Sequence, residues 1–297
     1  MKYISTKDIV ELNIKPEICY DWIIESFKAK HRCLLPPKIS IHLEEMNFYN
    51  TMPCLLPKEY DCFGVKIVSR IKGNTPSLNS DLLLYRASTG ELLAHIDANW
   101  ITTMRTGAVS AIAIETLKNS SAQIYSFMGL GNTGRATLQC ILPKLNKKNS
   151  IIRLLKYKDH AEKIIEEFNH EGIIFQICDS IEELIHNADI IVSCITQTND
   201  IICPNDSLFK QGVLVIPVHT RGFQNCDLFF DKVFGDDEGH IKDFKFFSRF
   251  KYFGELGDVI SGNNKGRIND QERIISYNIG LGIHDAFFGY HIYNLIK

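Results

Sequence analysis

The sequence predicts an α/β protein in which a doubly wound parallel sheet is joined to a smaller α+β region. Three observations lead there. From residue 124 to 194, short and almost uninterrupted apolar runs alternate with amphipathic stretches, the pattern of parallel strands covered by helices on both faces. Before residue 100 the apolar period is instead two, the mark of antiparallel strands with one solvated face. A glycine-rich turn joins the first parallel strand to the helix that follows it.

The elements follow in order. Ser5 and Asp8 have capping-box spacing, with Asp in place of the usual Glu or Gln. Pro16 suits the first turn of a helix whose apolar side includes Ile18, Trp22, Ile23 and Phe27. Ile39, Ile41 and Leu43 alternate with polar partners, residues 63–71 read as another strand, and 82–85 pair with 92–96 across a turn at Gly90. Residues 101–117 form a long helical run that ends in the polar segment 118–121, the expected domain boundary. Strands at 124–128, 151–155, 173–177 and 190–194 then alternate with helices at 133–145, 160–169 and 181–186, and 213–218 and 232–235 extend the sheet. Residues 274–296 are helical in pattern and apolar enough to pack back on the first region. The expected domains are 1–118 completed by 274–297, and 119–273.

A chain of 297 residues with 45% hydrophobic and 23% charged residues has the composition of a globular protein of one large or two medium domains. Its formal charge of -2 supplies no field to draw it to nucleic acid or anionic lipid, so a small molecule is the expected partner. Nine cysteines, odd in number and without a C-x-x-C pair, argue against a disulfide framework or a zinc site and for a reducing cytosol. The N-terminus has no apolar targeting core and no uncharged apolar stretch reaches the ~18 residues of a membrane span, so a cytoplasmic location is expected.

Gly129, Gly131 and Gly134, with Asn132 and Thr133 between, form a G-x-G-x-x-G turn in the strand-to-helix setting that the motif requires. The first glycine allows the tight turn, the second lets a pyrophosphate approach the backbone, and the third lets helix and strand pack closely. The expected ligand is a dinucleotide on a Rossmann-type sheet, its anion at the helix N-terminus. Where an acidic residue usually holds the ribose 2'-hydroxyl, at the end of the second strand, this chain has Tyr157 between Lys156 and Lys158. A cation there favours a 2'-phosphate, hence NAD(P) with a lean to NADP. The alternative is that both lysines are solvated charges and Asp159 caps the next helix.

The run from Thr102 to Ala111, placed just ahead of that glycine turn, resembles the ornithine cyclodeaminase and mu-crystallin family. Further matches, in the family's order, are Met52-Pro53, Gly64 and Lys66, Thr89-Gly90 with Ala94 and Asp97, Ala188-Asp189-Ile190, Leu256-Gly257, Gly266-Arg267, and Gly282 with His284 and Asp285. The resemblance implies an N-terminal substrate-binding domain that also forms a homodimer, and a Rossmann domain holding the nicotinamide over the substrate cleft. It implies nucleotide contacts at Thr106, Thr196 and Val218 and places Met52 with the substrate. Family members interconvert amino acids and imines by hydride transfer, so an amino or keto acid substrate is expected. The runner-up activities are an ornithine-cyclodeaminase-type ammonia-lyase that recycles its NAD and a ligand-binding protein without turnover.

Beside the resemblance, the residues have chemistry of their own. Arg105, expected at or near a helix start, suits a two-point grip on a carboxylate; its alternative is a structural ion pair. Lys66 lies on an otherwise apolar strand, where a desolvated ammonium binds a carboxylate or moves a proton to an imine nitrogen; on a solvated face it is polar filling. Lys38 stands where the family supplies a carboxylate-binding arginine, a point charge for a planar fork. Arg221 stands at or beside the place of the cyclodeaminase's catalytic aspartate, and with a pKa above about 12 it is no general base. It suits a second acidic group on the substrate instead. His219 on the same loop is the expected proton donor, or else a loop histidine bound to backbone. Asp236, Asp237, Glu238 and Asp258 lack matching metal-ligand spacing and read as a capped helix start, and the aromatic run from Phe244 to Phe253 reads as a packed lid or interface.

Overall fold

The computed structural model describes residues 1–44, 47–146, 149–169, 172–196, 198, 200–218 and 221–296. Its strands and helices begin with β1 (Lys2–Ile4), α1 (Thr6–Glu11), α2 (Pro16–Ala29), β2 (Ile39–His42), β3 (Phe48–Leu55), β4 (Cys62–Arg70), β5 (Leu78–Arg86), β6 (Leu92–Asp97) and α3 (Asn99–Leu117). They continue through β7 (Ile124–Met128), α4 (Asn132–Ile141), β8 (Ile151–Leu155), α5 (His160–Phe168), β9 (Ile174–Cys178), α6 (Ile181–Ile185), β10 (Ile190–Ser193), β11 (Leu214–Pro217) and α7 (Cys226–Phe229). The last are β12 (Lys232–Gly235), α8 (Glu238–Ile241), β13 (Phe253–Glu255), α9 (Leu256–Ile260), β14 (Ile274–Tyr277) and α10 (Gly282–Ile296).

The chain forms two units, Met1–Arg105 with Gly280–Lys297, and Thr106–Ile279. The division falls inside α3 and at Gly280, not at residues 118/119 and 273/274. A regular helix carries no linker composition where one unit ends, so the polar turn after it drew the sequence boundary.

The first unit is a six-stranded sheet in the order β1-β6-β5-β4-β3-β2, with β1 parallel to β6 and the other neighbours antiparallel. The Ser5–Asp8 capping box opens α1 as its spacing predicts. In α2 the buried stripe is Cys19, Trp22, Ile23, Ser26 and Phe27, while Ile18, expected on that side, is exposed. Cys62, Gly64, Lys66 and Val68 alternate onto the buried face of β4. Helix α10 lies against that face because Gly64 has no side chain: a Cβ there would stand 2.9 Å from the Ala286 Cβ. Trp22 meets Phe288 edge-on at 5.1 Å, joining α2 to α10. On the opposite side of the sheet Ile39, Ile41, Tyr49 and Ile67 are exposed, so the alternation that predicted β2 turns its apolar side outward.

The second unit is an eight-stranded, all-parallel sheet in the order β13-β12-β14-β11-β10-β7-β8-β9. From β7 the chain winds outward through β8 and β9, then returns to β10 on the other side, which puts the topological switch point between β7 and β10. Strands β10, β11, β12 and β14 are buried throughout, as a sheet covered on both faces requires. Residues 274–296 are not one helix: Ile274–Tyr277 is strand β14, inserted between β11 and β12, and α10 starts only at Gly282. Four residues such as Ile274, Ile275, Ser276 and Tyr277 fit a buried strand or a helix turn equally, and pairing with two neighbours decided it.

Candidate active site

Lys66 is fully buried, and its Nζ donates to the Asp285 carboxylate at 2.6 Å and to the Thr102 hydroxyl at 3.3 Å. Removal from water, followed by repulsion from Arg105, pushes the Lys66 ammonium down to about 7 against the pull of Asp285. Arg105, also buried, brings its Nε within 3.3 Å of the same Asp285 Oδ1. It sits in the second turn of α3 and not at the helix start. Amides at that depth are spent inside the helix, so the guanidinium works without them. Gly280, with φ +87, leaves the room that Arg105 fills; a side chain there would collide with the guanidinium.

Two buried cations therefore share one oxygen of one carboxylate. Among the described atoms, Asp285 Oδ2 and Arg105 Nε have no hydrogen-bond partner. An uncompensated buried charge is costly, and a second carboxylate would balance it. Met52 lies directly across from Lys66 in the β3–β4 register, its carbonyl 2.9 Å from where a Cβ on Gly282 would stand. Lys38, half-buried, adds a positive charge felt by Lys66. The fold thus gathers Lys66, Arg105, Met52 and Lys38 into one unit. The sequence missed the role of Asp285, although a lone acid in the first turn of the apolar α10 was a signal that it has buried partners.

The glycine turn connects β7 to α4. Gly129 has φ +78 and abuts the Cys194 backbone, where a side chain does not fit. A Cβ on Gly134 would stand 2.7 Å from the Gly129 carbonyl oxygen, so the third glycine is needed for close packing. Around Gly131 no described atom lies within 4 Å of a Cβ position, and no described side chain caps the α4 N-terminus that Gly131, Asn132 and Thr133 open. An open cradle at an uncapped helix start fits a diphosphate. Thr106, buried in α3, adjoins Gly107, which touches Ala136 of α4 so closely that no side chain is tolerated. Val218 is buried and bridges Asn278; Thr196 is exposed two residues beyond Cys194. Past β8, Tyr157 is exposed with the Lys158 ammonium over its ring at 5.3 Å, and Lys156 pairs with Asp179 at 3.4 Å. Asp159 makes no side-chain cap; its carboxylate pairs with Lys163 at 2.7 Å.

Arg221 is exposed on the second unit, stacked 4.3 Å over Phe244 beside a cleft of about 710 Å³ that Lys245 and Phe246 also line. Phe244 in turn meets Tyr277 at 5.0 Å, and the Tyr277 hydroxyl donates to the buried Asp227 at 2.5 Å. Burial pushes Asp227 up to about 7, against the hydroxyl and Arg221. Nothing in the local pattern of residues marks this pair. His219, the expected proton donor, lies outside the described residues. Asp237 precedes α8 without a side-chain cap and pairs with His240 at 2.9 Å, and no described His, Cys, Asp and Glu group of three or more is placed to hold a metal. Phe247 meets Phe250 and Phe253 edge-on, and those two rings are tilted to each other.

The model of the ornithine cyclodeaminase/mu-crystallin family matches residues 2–297. Nodulation efficiency protein NfeD of Rhizobium meliloti is 26% identical, with 100% of this chain and 96% of that protein covered. N-((2S)-2-amino-2-carboxyethyl)-L-glutamate dehydrogenase of Staphylococcus aureus is 24% identical over 82% of this chain and 77% of that one. In structure, the chain is similar to Delta(1)-pyrroline-2-carboxylate reductase of Thermococcus litoralis, solved with NADH and L-proline: TM-score 0.86 and 22% identity, covering 99% of this chain and 97% of that one.

Proposed function

The chain belongs to the ornithine cyclodeaminase/mu-crystallin family, and from that premise we propose that it is an NAD(P)-dependent oxidoreductase reducing the C=N bond of an imino acid, or of the imine of a keto acid and an amine. The observation that carries this reading is the buried pair of cations, Lys66 and Arg105, that share one oxygen of Asp285 among the described residues. Arg105 grips the substrate carboxylate, and Lys66 and Lys38 add charge to the grip. Lys66, poised near neutrality, holds a proton for the nitrogen that becomes an amine, and Asp285 orients its ammonium.

NAD(P)H, when bound, would supply the hydride. Gly129, Gly131, Asn132, Thr133 and Gly134 would hold its diphosphate, with Thr106, Thr196 and Val218 as further contacts. Lys158 at the ribose end supports NADP over NAD. Arg221, in no direct ion pair among the described residues, is the group for a second acid on the substrate, a feature that the name of the Staphylococcus aureus relative also carries. The exposed apolar face of β2–β4 supports a homodimer.

The test is steady-state oxidation of NADPH and NADH with Delta(1)-pyrroline-2-carboxylate and with keto acids plus amines. Consumption of reduced nucleotide at a rate set by the imine supports the reading. Ammonia release from ornithine without net nucleotide change overturns it in favour of cyclodeamination, and tight nucleotide binding without turnover on any imine overturns it in favour of a binding protein.

A further inference from the structure

The nine cysteines stand singly in the sequence, but the fold brings two of them together. Leu34 and Leu55 exchange both backbone hydrogen bonds, each 3.0 Å, in an isolated antiparallel bridge. That register sets Cys33 and Cys54 diagonally across the bridge with their side chains on one face. There each thiol is the first influence on the other's proton.

The partners are unequal. Cys54 is fully buried, whereas Cys33 is partly exposed, its Sγ 3.4 Å from the Ala29 carbonyl. The neighbouring Cys54 thiol, helped by the Arg32 guanidinium and opposed by burial, holds the Cys33 thiol below its ordinary value. The same contact, with burial, pushes Cys54 up. Cys33 is thus the sulfur that ionises first and is within reach of solvent, while Cys54 keeps its proton beside it.

We propose that Cys33 and Cys54 are a reversible dithiol–disulfide pair, closed by hydrogen peroxide, which braces the segment leading to Lys38 against the strand that carries Met52. The Cys33 thiolate attacks one peroxide oxygen; the O–O bond breaks, a sulfenic acid forms, and the departing hydroxide is protonated to water. The Cys54 sulfur then attacks the sulfenic sulfur, the S–S bond forms, and the hydroxyl leaves with the Cys54 proton as a second water. Two thiols are oxidised, the peroxide is reduced to two waters, and a dithiol reductant reverses the change.

The pair is placed to matter. Five residues beyond Cys33, through Pro36 and Pro37, lies Lys38, whose charge Lys66 feels, and the charge of Asp285 acts on Cys54. Resting on the carboxylate-binding reading above, the disulfide changes KM for the acid substrate by several-fold and kcat little.

Treatment of the whole native protein with stoichiometric hydrogen peroxide tests the pair without any substrate. Thiol titration after denaturation is expected to fall from nine to seven, with a Cys33–Cys54 cross-linked peptide in the digest and nine thiols again after dithiothreitol. In Cys54→Ser the expected product is a Cys33 sulfenic acid trapped by dimedone. Nine thiols surviving in the wild type, a cross-link between other cysteines, or Cys33 passing to sulfinic acid with Cys54 still reduced overturns the proposal. If the cross-link forms and KM for an accepted imine is unchanged, the bracing of Lys38 is overturned. If no imine is turned over at all, it is the functional reading that has failed, and the thiol count still decides the pair.

Discussion

Lys66 sits with no exposure, and the one carboxylate it meets among the described residues is shared with a guanidinium, so its ammonium is held near its own titration point. As proton donor it is needed charged, and kcat/KM for imine reduction is expected to fall as pH rises through about 7. Lys66→Met, which keeps length without charge, should lower kcat by about 10²–10⁴-fold and remove that limb from the pH–rate profile. The stability sign follows from the depressed value. The contribution of Lys66 is fully present above its ordinary 10.5 and is lost as pH falls through about 7, because the unfolded chain takes up the proton first. Asp227 acts oppositely. Raised from 3.8 to about 7, it contributes stability that is present below 3.8 and lost as pH rises through about 7. Asp227→Asn has no such proton, so its Tm relative to wild type should be higher at pH 8 than at pH 5. A Tm difference flat with pH would remove Asp227 from the account. Neither partner of these groups was legible beforehand. Asp285 is 219 residues from Lys66 in the chain and Tyr277 is 50 from Asp227, and no local pattern encodes such pairings.

The strand-to-helix turn at residues 129–134 was fully legible, because its constraint is local. A positive φ, an open approach and a tight contact each demand glycine at a fixed offset. The three glycines should therefore respond differently. Gly131→Ala projects into open space and should leave Tm within about 2 °C while weakening nucleotide binding about tenfold. Gly129→Ala meets the Cys194 backbone at a left-handed φ and should lower both Tm and binding. Differential scanning calorimetry with nucleotide titration separates the two; equal losses of Tm would remove the distinction. Arg105 shows the limit of reading an element by its ends. The sequence put the helix at 101–117 and the structure starts it at Asn99, enough to move Arg105 from a helix start to an interior turn. Strands β1, β3 and β13 were not predicted. Two have only three residues, too few for a period, and the third carries Asn50 and Pro53.

Across the molecule, one sheet is buried on both faces and the other leaves an apolar face open. Ile39 and Ile41 on edge strand β2, with Tyr49 and Ile67 beside them, are more than 40% exposed. Such a patch on an edge is an association surface or an aggregation hazard. If it is the homodimer contact, Ile39→Asp with Ile41→Asp should give a folded monomer in analytical ultracentrifugation, with Tm and nucleotide binding of the second unit retained. A dimer that survives both changes places the contact elsewhere. No described helix is long and apolar enough to cross a membrane.

By itself the sequence determined the fold class, the glycine turn, most of the parallel strands and the family, since period, punctuation and motif order are properties of neighbouring residues. Tertiary structure alone decided that Ile274–Tyr277 is a strand, that Arg105 and Lys66 share Asp285, that Cys33 and Cys54 flank one bridge, and that the apolar side of β2 is wet. Each of these depends on which distant segment supplies a hydrogen bond, a counter-charge or a covering surface, and that choice is made by packing the whole chain.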